Sequence, residues 1–358
     1  MAQMQAVSGG IILPTIHHLR PPLIVTYSER TMSIRRRFRF RGVDAAQKRF
    51  VAMTVIPLVL YMGFWTLFPL AWGFALAFFR YSARRAGGPF LGLGGDNPFV
   101  GLAHFQAMLD FSPDAPLNVR TFHIGVKITL LFAALVVPLN LSITLPLAVL
   151  IESVHRRMRP IFRTAFFLPV LAPSVGVAIM WGYIYHPQRG LLNAILGKIL
   201  GHMVVINWLG DPKLTVWGIP VALFALIIAY LWQDMGYNLV IFIAALQSIP
   251  DYLKDAARID GVNSWQMFTK ITLPLLMPTI QLTAILTMIS AFQIFDLVQV
   301  MTDGGPKYQT QVLLLHIYNY AFRYQRMGWA AAVSVVLFLM ILTISLIQSR
   351  FLQARWEY

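Results

Sequence analysis

Six apolar segments, each long enough to cross a bilayer, make up most of this chain. They cover residues 50–79, 122–151, 162–185, 216–246, 278–301 and 328–348. About 20 apolar residues take a helix across the hydrocarbon core, and only helices and closed barrels satisfy their backbone polar groups there. With 58% hydrophobic and 12% charged residues, the chain is far more apolar than an average soluble domain. The sequence therefore predicts an all-α polytopic membrane protein with six transmembrane helices.

The distribution of Lys and Arg between these segments predicts which loops face the cytoplasm. Residues 35–49 carry seven of them just before the first segment, and residues 152–163 carry four arginines. Short loops rich in Lys and Arg stay on the cytoplasmic side of a membrane. Six spans then place both termini of this multi-pass protein in the cytoplasm. Arg80, Arg84 and Arg85 fall in an external segment and depart from this bias.

The formal net charge of +15 suggests two kinds of partner, nucleic acid or membrane lipid. We predict membrane lipid and no nucleic acid, because most of the charge lies in the predicted cytoplasmic tail and loops, where anionic lipids attract it. The sequence has no cysteine, which excludes a disulfide framework and thiolate metal sites. The adjacent His17 and His18 point apart on a helix or strand, so we predict no metal site.

The ends of the chain are predicted to be short tails around one membrane domain. Residues 1–49 form a basic cytoplasmic tail that we predict to be largely disordered, and residues 351–358 form a cytoplasmic C-terminal tail. Within the first tail, residues 1–31 are broken by His and Pro too early for a signal-peptide core or a span. Met32 is therefore a candidate translation start. The six-span domain occupies residues 50–350.

Two details of the membrane domain can be predicted from its polar and proline residues. Pro169 and Pro173 in the third segment predict a kinked helix, tolerated where neighbouring helices satisfy the freed backbone groups. Residues 310–322 are apolar but interrupted by His316 and Asn319. We predict a surface helix there, between the last two spans.

A polar stretch, residues 248–278, separates the fourth and fifth segments and reads as two short helices. Ser248 followed three residues later by Asp251 predicts a capping box at the start of the first. Gly261 supplies the left-handed residue that ends it. Asn263 is a good N-cap for the second helix. The stretch is therefore a compact polar element between two membrane spans.

The second of these helices is predicted to lie against an apolar surface. Trp265, Phe268 and Ile271 share one face at helical spacing. Pro274 removes a backbone donor and is expected to interrupt the helix.

Residue spacing within 248–278 also carries a family pattern. The pattern is Glu-Ala-Ala, three residues, Gly, nine residues, then Ile-x-Leu-Pro. Its counterparts here are Asp255, Ala256, Ala257, Gly261, Ile271, Leu273 and Pro274. The stretch resembles the cytoplasmic coupling loop, or EAA loop, of ABC importer permeases, with Asp255 where Glu is usual and the charge kept. The resemblance implies that these seven residues couple the chain to an ATPase.

Other strings resemble the carbohydrate, maltose-type subfamily of these permeases: residues 162–169 with Trp181, 190–193 and 207–210. The resemblance implies a subunit that moves a mono- or oligosaccharide across the bacterial cytoplasmic membrane. It also implies a second permease subunit, identical or different, two ATP-binding-cassette ATPase subunits and an extracytoplasmic substrate-binding protein. The chain has no phosphate-binding loop and no catalytic motif, so we predict neither enzyme activity nor a cofactor of its own.

Polar residues inside spans are functional candidates by default, because they are costly in a bilayer. The candidates for the substrate pathway are Trp232, Gln233, Asp234, Tyr237 and Asn238 in the fourth span and Ser290 and Gln293 in the fifth. Aromatic rings with hydrogen-bonding side chains suit a polar, uncharged ligand such as a sugar. The alternative is that they make interhelical hydrogen bonds, worth about 1 kcal/mol each. For Asp296 we favour this structural alternative.

Two other kinds of transporter and an enzyme are the alternatives to a sugar permease. Residues 237–250 also resemble glycerol-3-phosphate importers, although a phosphate ligand would favour Arg or Lys in the spans, and the middles of the spans have none. Asp234 and Asp296 could relay protons in an ion-coupled secondary transporter, but the inverted repeats of many such folds are not evident. A membrane-embedded enzyme lacks any catalytic constellation in this sequence.

Overall fold

The computed structural model describes residues 45–85 and 87–351. Predictions for the first 44 and last seven residues lie outside the described residues. The chain divides into two compact units, Met1–Leu60 and Tyr61–Tyr358. In the first, a helix begins at Ala45, so the last residues of the predicted tail are helical.

Helices dominate the described residues. The α-helices are α1 Ala45–Met62, α2 Phe68–Leu76, α3 Ala103–Met108, α4 Leu117–Ser153, α5 Arg159–Phe167, α6 Ser174–Ile184, α7 Leu191–Leu200, α8 Val221–Ser248, α9 Asp251–Ile259, α10 Ser264–Gln266, α11 Leu273–Leu275, α12 Met277–Phe292, α13 Asp296–Met301, α14 Leu313–Tyr318 and α15 Met327–Phe351. Tighter or wider helical turns occupy Gly63–Leu67 (π), Leu168–Leu171 (3-10), Met267–Thr272 (π) and Asn319–Arg323 (π). Two antiparallel pairs of short strands are β1 Gly87–Phe90 with β2 Leu93–Gly95, and β3 Thr215–Val216 with β4 Ile219–Pro220.

Six spans can be counted in the described part of the chain. Five helical segments are long and apolar enough to cross a membrane: Arg49–Leu76, Leu117–Ser153, Val221–Ser248, Met277–Met301 and Met327–Phe351. A bent pair, α5 with its 3-10 turn followed by α6, makes the sixth when counted as one span. The prediction of an all-α, six-span membrane protein is confirmed.

The third span is sharply bent, as its prolines predict. Arg159–Leu171 and Ser174–Ile184 meet at 98°, because Ala172 and Pro173 between them have extended backbone conformations. The bend leaves the Ala172 carbonyl outside any helix. The side chain of Gln233, on α8, donates a 3.1 Å hydrogen bond to it. A neighbouring span thus satisfies a backbone group that the bend frees.

Two glycines let helices approach more closely than any other residue would allow. A Cβ on Gly236 of α8 would collide with the carbonyl oxygen of Phe166 on α5. A Cβ on Gly328 of α15 would collide with the carbonyl oxygen of Phe79, just after α2. Both contacts are between backbones, which cannot move aside as a flexible side chain could.

The helices bury two apolar clusters, both built on α4 and α8. The larger includes Phe132 and Phe292 and draws on α4, α6, α8 and α12 to α15. The smaller includes Phe242 and Leu276 and lies near the carboxyl ends of α4 and α8, where α9 follows. The long α4 and α8 therefore form the axis against which the other spans pack.

The prediction of a surface helix over residues 310–322 is wrong. In α14, Leu313, Leu315 and His316 are completely buried, because consecutive leucines pack against both α4 and α15. The Nε2 of His316 accepts a 3.0 Å hydrogen bond from Trp329 Nε1, which satisfies one of the two ring nitrogens. Burial lowers the pKa of His316 from about 6.5 to about 3.

Candidate functional site

The stretch between α8 and α12 holds an exposed helix, α9, at one end of the helical bundle. Gly261 follows α9 with a φ of +76°, the left-handed conformation that its predicted role requires. Asn263 Oδ1 accepts a 2.8 Å hydrogen bond from the Gln266 N–H, and Gln266 Oε1 accepts one of 3.1 Å from the Asn263 N–H. These two predictions about the boundaries are confirmed.

The predicted capping box at Ser248 is wrong. Pro250 occupies the N-cap of α9 and Asp251 makes no capping bond there. Ser248 is the last residue of α8, and its hydroxyl instead donates a 2.7 Å hydrogen bond to the Ala245 carbonyl. The hydroxyl is therefore already used within the preceding helix.

The second helix departs from prediction in two ways. Pro274 does not interrupt it, because the π-helical turn Met267–Thr272 stands directly before α11 and widens the backbone where Pro lacks a donor. Only part of the predicted apolar face is covered. Phe268 and Leu273 pack on the smaller core cluster, and Ile271 is partly buried. Trp265 is 72% exposed, with its ring 6.1 Å from that of Phe268.

The outward face of α9 combines charge with large apolar side chains. Tyr252, Asp255 and Ile259 share one side of the helix and are 69%, 61% and 87% exposed. Ala256 lies beside them, while Ala257 is buried. Sequence reasoning found Asp255 but missed the two apolar residues, which are recognisable at i and i+7 of an otherwise polar helix. Two exposed apolar side chains thus flank a carboxylate on one face of a helix whose other exposed residues are mostly charged.

Ion pairs on α9 are exposed and contribute little to its stability. Asp255 Oδ1 lies 2.9 Å from Arg258 Nη1, and Asp251 Oδ1 lies 3.5 Å from Lys254 Nζ. Exposed pairs of this kind are worth about 0–1 kcal/mol. The Asp255 carboxylate can therefore exchange Arg258 for a basic group on a partner at low cost.

Behind α9 lies a cavity of about 820 Å³ whose far wall is an ionic cluster around Glu152. Glu152, near the end of α4, pairs with Arg159 at 3.0 Å and also with Arg163. Gln247 near the end of α8 approaches the same carboxylate at 3.5 Å. The cluster ties α4, α5 and α8 together next to α9. In the sequence, this ionic cluster was indicated only by one acidic residue, Glu152, in a loop with four arginines.

Within the spans, a chain of buried side chains connects three helices. Asn140 Nδ2 of α4 donates to Asp234 Oδ2 of α8 at 3.0 Å. Asn238 Nδ2, also on α8, donates to Asn140 Oδ1 at 2.8 Å and to Thr287 Oγ1 of α12 at 2.6 Å. Asn238 is 1% exposed. Asn238 therefore makes the interhelical hydrogen bonds that are the structural alternative to substrate binding, since both of its amide hydrogens are bound within the protein.

Other candidates from the spans are more open. Gln233 is partly buried and bonds to the bend of the third span. The Trp232 ring meets the Trp181 ring edge to face at 6.1 Å. Tyr237 is 49% exposed, and Ser290 and Gln293 are exposed on α12 and just after it. The structure therefore separates the seven candidates into two sets. Asn238 and Asp234 belong to the hydrogen-bonded chain that connects the helices, and the more accessible side chains are Trp232, Gln233, Tyr237, Ser290 and Gln293.

A metal centre is not assembled by the described residues. No group of three or more His, Asp or Glu side chains in the described ranges is placed to hold a metal ion. What the arrangement offers is a set of accessible polar side chains in the spans and an exposed helix at one end of the bundle.

The sequence is similar to those of known transport system permeases. The lactose transport system permease protein LacF of Rhizobium radiobacter is 35% identical over 249 residues, covering 67% of this chain and 80% of that protein. The sn-glycerol-3-phosphate transport system permease protein UgpA of Agrobacterium fabrum is 32% identical over 262 residues, covering 73% of this chain and 83% of that protein.

The fold is also similar to that of a solved structure. It matches a chain from the crystal structure of a bacterial ABC transporter involved in the import of the acidic polysaccharide alginate, with a TM-score of 0.71 and 21% sequence identity. That match covers 88% of this chain and 98% of the other. Residues 122–358 match the family described as binding-protein-dependent transport system inner membrane component. This chain is an integral membrane permease subunit of that family.

Proposed function

We propose that this chain is one of two permease subunits of a bacterial ABC importer that carries a neutral sugar across the cytoplasmic membrane. ATP hydrolysis is supplied by two ATP-binding-cassette subunits, and ligand by an extracytoplasmic binding protein. The second permease is either a different chain or another copy of this one. The observation that carries the proposal is the outward face of α9.

Coupling follows from how α9 is mounted. Its outward face carries Tyr252, Asp255 and Ile259, which supply apolar anchors and a carboxylate for a basic group on the ATPase. After the helix, Gly261 in its left-handed conformation and Asn263, the N-cap of α10, fix the direction in which the chain leaves α9. A displacement of α9 by the ATPase would reach α8 across two residues, and would reach α12 through α10, the π-helical turn and α11.

The charge pattern supports an orientation in which α9 faces the cytoplasm. The arginine-rich loop between α4 and α5 lies at the same end as α9, as the cluster around Glu152 and the shared cavity require. Short loops rich in Arg remain cytoplasmic. This orientation also puts both termini in the cytoplasm and leaves the opposite end for the binding protein.

The substrate path is proposed along the accessible polar side chains of the fourth and fifth spans. Tyr237, Ser290 and Gln293 are exposed in this subunit, and polar groups in a membrane face a water-filled cavity or protein rather than lipid. They therefore face the central cavity shared with the second permease. Trp232, Gln233 and Asp234 are partly buried on the same helix as Tyr237.

A neutral sugar fits these spans better than a phosphorylated ligand. LacF carries lactose by its name and UgpA carries sn-glycerol-3-phosphate, so similarity alone leaves both classes. Proteins usually bind a phosphate through Arg, which contacts two of its oxygens at once, or through Lys. Among the described residues, α6, α8 and α12 contain neither. Hydroxyl, amide and aromatic groups match a sugar.

The test uses the complex as it exists in its native membrane. The tagged chain is purified in mild detergent, its partners are identified by mass, and the complex is reconstituted in proteoliposomes. ATP hydrolysis is then measured with the binding protein loaded with lactose, maltose or sn-glycerol-3-phosphate. We expect ATPase subunits to co-purify and a sugar-loaded protein to stimulate hydrolysis. Transport driven by an ion gradient without ATP, or stimulation by sn-glycerol-3-phosphate alone, would contradict the proposal.

A further inference from the structure

A basic cavity of about 430 Å³ lies at the end of the bundle opposite α9. It opens where α2 ends and where α15 begins, and its charged lining is Arg80, Arg85 and Arg326. The ring of His104 and the aromatic side chains of Tyr324 and Trp329 complete its walls. The chain reverses direction at α9. The helix α12 therefore runs away from the α9 end of the bundle, and α15 begins at the opposite end. The cavity is therefore at a membrane–water boundary.

The charge of this cavity is not neutralised by the described residues. Among them, the acidic side chains found in ion pairs are bound to other cations, and no Asp or Glu lines the cavity. Arg85 Nη1 donates to the carbonyl of Asp96 at 3.3 Å, which leaves its charge intact. Burial lowers the pKa of His104, and the nearby charge of Arg80 acts in the same direction. Three guanidinium groups around one space attract an anion.

Backbone contacts hold the walls of the cavity in place. The Gly328 N–H donates a 3.1 Å hydrogen bond to the Tyr81 carbonyl, where α15 passes the segment after α2. The Ser82 N–H donates to Asn97 Oδ1 at 2.9 Å. His104 Nε2 lies 3.1 Å from the Phe79 carbonyl oxygen. The arginines thus project from a fixed frame, so binding does not require the frame to be ordered first.

An apolar surface suited to acyl chains continues from this cavity along the same two helices. Rings of Phe74 on α2 and Phe338 on α15 meet edge to face at 5.8 Å, which joins the helices below the cavity. Leu70 on α2 and Leu339 on α15 are both exposed. Arg side chains bind phosphate oxygens through charge-assisted hydrogen bonds, so a basic pocket between two transmembrane helices can hold a phospholipid head group with its acyl chains against the apolar surface of the spans.

We propose that this cavity holds the phosphate of an anionic phospholipid, with the guanidinium groups of Arg80 and Arg326 on its oxygens and the acyl chains along α2 and α15. Arg is suited to this role because its planar fork meets two phosphate oxygens at once. The site also accounts for arginines that depart from the usual charge bias of membrane proteins. It is independent of the transported ligand.

The test is lipid binding to the delipidated, purified complex, counted by native mass spectrometry with phosphatidylglycerol as the probe. We expect Arg80→Gln combined with Arg326→Gln to weaken binding of one phosphatidylglycerol per chain about tenfold or more. The matched control is Arg84→Gln combined with Arg120→Gln, which removes the same charge from exposed positions outside the cavity. It should bind like the unmodified chain.

Competition on the unmodified complex tests the source of the phosphate without any variant. Phosphatidylglycerol should be displaced poorly by phosphatidylcholine, whose head group has no net charge, and poorly by inorganic phosphate, which lacks acyl chains. Equal displacement by inorganic phosphate would overturn the lipid assignment in favour of a soluble anion. Equal binding of phosphatidylcholine, or unaltered binding in the Arg80 and Arg326 variant, would overturn the proposal itself.

Discussion

Asn238 and Asn140 are 98 residues apart in the chain and joined by a 2.8 Å hydrogen bond between their side chains. The same Asn238 amide bonds to Thr287, so one side chain links α4, α8 and α12. Its neighbour in sequence, Tyr237, is exposed. One turn of α8 therefore presents a structural residue and a candidate substrate-binding residue side by side.

This pair predicts opposite outcomes for neighbouring substitutions. Asn238→Ala removes two buried hydrogen bonds and should lower stability by about 1–2 kcal/mol, measured as a drop of several degrees in the Tm of the detergent-solubilised complex. Tyr237→Ala removes an exposed ring and should leave Tm unchanged while reducing transport at low substrate concentration. A destabilised Tyr237→Ala complex, or Asn238→Ala with a normal Tm, would contradict these assignments.

Coupling through α9 is tested by adding bulk just after that helix. Gly261 has a φ of +76° and open space where a Cβ would be, so Gly261→Arg strains the backbone by about 1–2 kcal/mol without a clash in this subunit. We expect insertion and folding to persist. Substrate-stimulated ATP hydrolysis of the reconstituted complex should fall at least about tenfold, which corresponds to a lost interaction of about 1.4 kcal/mol.

A second glycine provides the matched control for backbone strain. Gly201, at the end of α7, has a φ of +71° and equally open surroundings, so Gly201→Arg imposes the same strain away from α9 and should hydrolyse ATP normally. Asp255→Glu, which keeps the carboxylate, should also stay coupled, whereas Asp255→Arg should not. Equal losses at Gly201 and Gly261 would mean that strain, and not docking, causes the defect.

Close packing of α5 on α8 predicts that Gly236 does not tolerate a methyl group. In Gly236→Ala the new Cβ would press on the Phe166 carbonyl, and overpacking of this kind costs about 1–3 kcal/mol. The Tm of the complex should fall accordingly. At Gly182 on α6, no heavy atom beyond its own helical turn and chain neighbours lies within 4 Å of the point that a Cβ would occupy, so Gly182→Ala is the control and should keep or slightly raise Tm.

Buried His316 predicts a dependence of stability on pH. Its pKa is about 3 in the folded protein and about 6.5 when exposed, so between these values the unfolded chain binds a proton that the folded chain does not. Stability is full above about pH 6.5 and declines as the pH falls below it. Between pH 7.5 and pH 5 the loss should be about 2 kcal/mol.

The measurement is Tm against pH for the unmodified complex and for His316→Gln, whose side-chain oxygen can still accept from Trp329 but does not titrate. We expect the decline below pH 6.5 to be smaller in His316→Gln. His202→Gln, at an exposed position, should retain the full decline. An identical pH profile in His316→Gln would show that other groups are responsible.

Local sequence features determined much of this protein by themselves. Apolar length and charge predicted six helical spans, and residue chemistry placed the boundaries at Gly261 and Asn263. These features depend on a residue and its near neighbours: a helix needs enough apolar residues to cross a bilayer, and an end needs a left-handed glycine or a capping side chain. A bend at Pro173 could be predicted for the same reason, because it depends on the proline and its near neighbours.

Tertiary structure alone decided which side chains are buried and what they contact. Asn238 and Tyr237 are both polar residues of one span, and only the positions of α4 and α12 make the first a connector and leave the second open. Consecutive leucines in α14 gave no sign of being buried on two sides. Arg80 and Arg326 lie 246 residues apart in sequence and share a cavity only because α2 and α15 meet. Such contacts depend on the packing of distant helices, which no local pattern encodes.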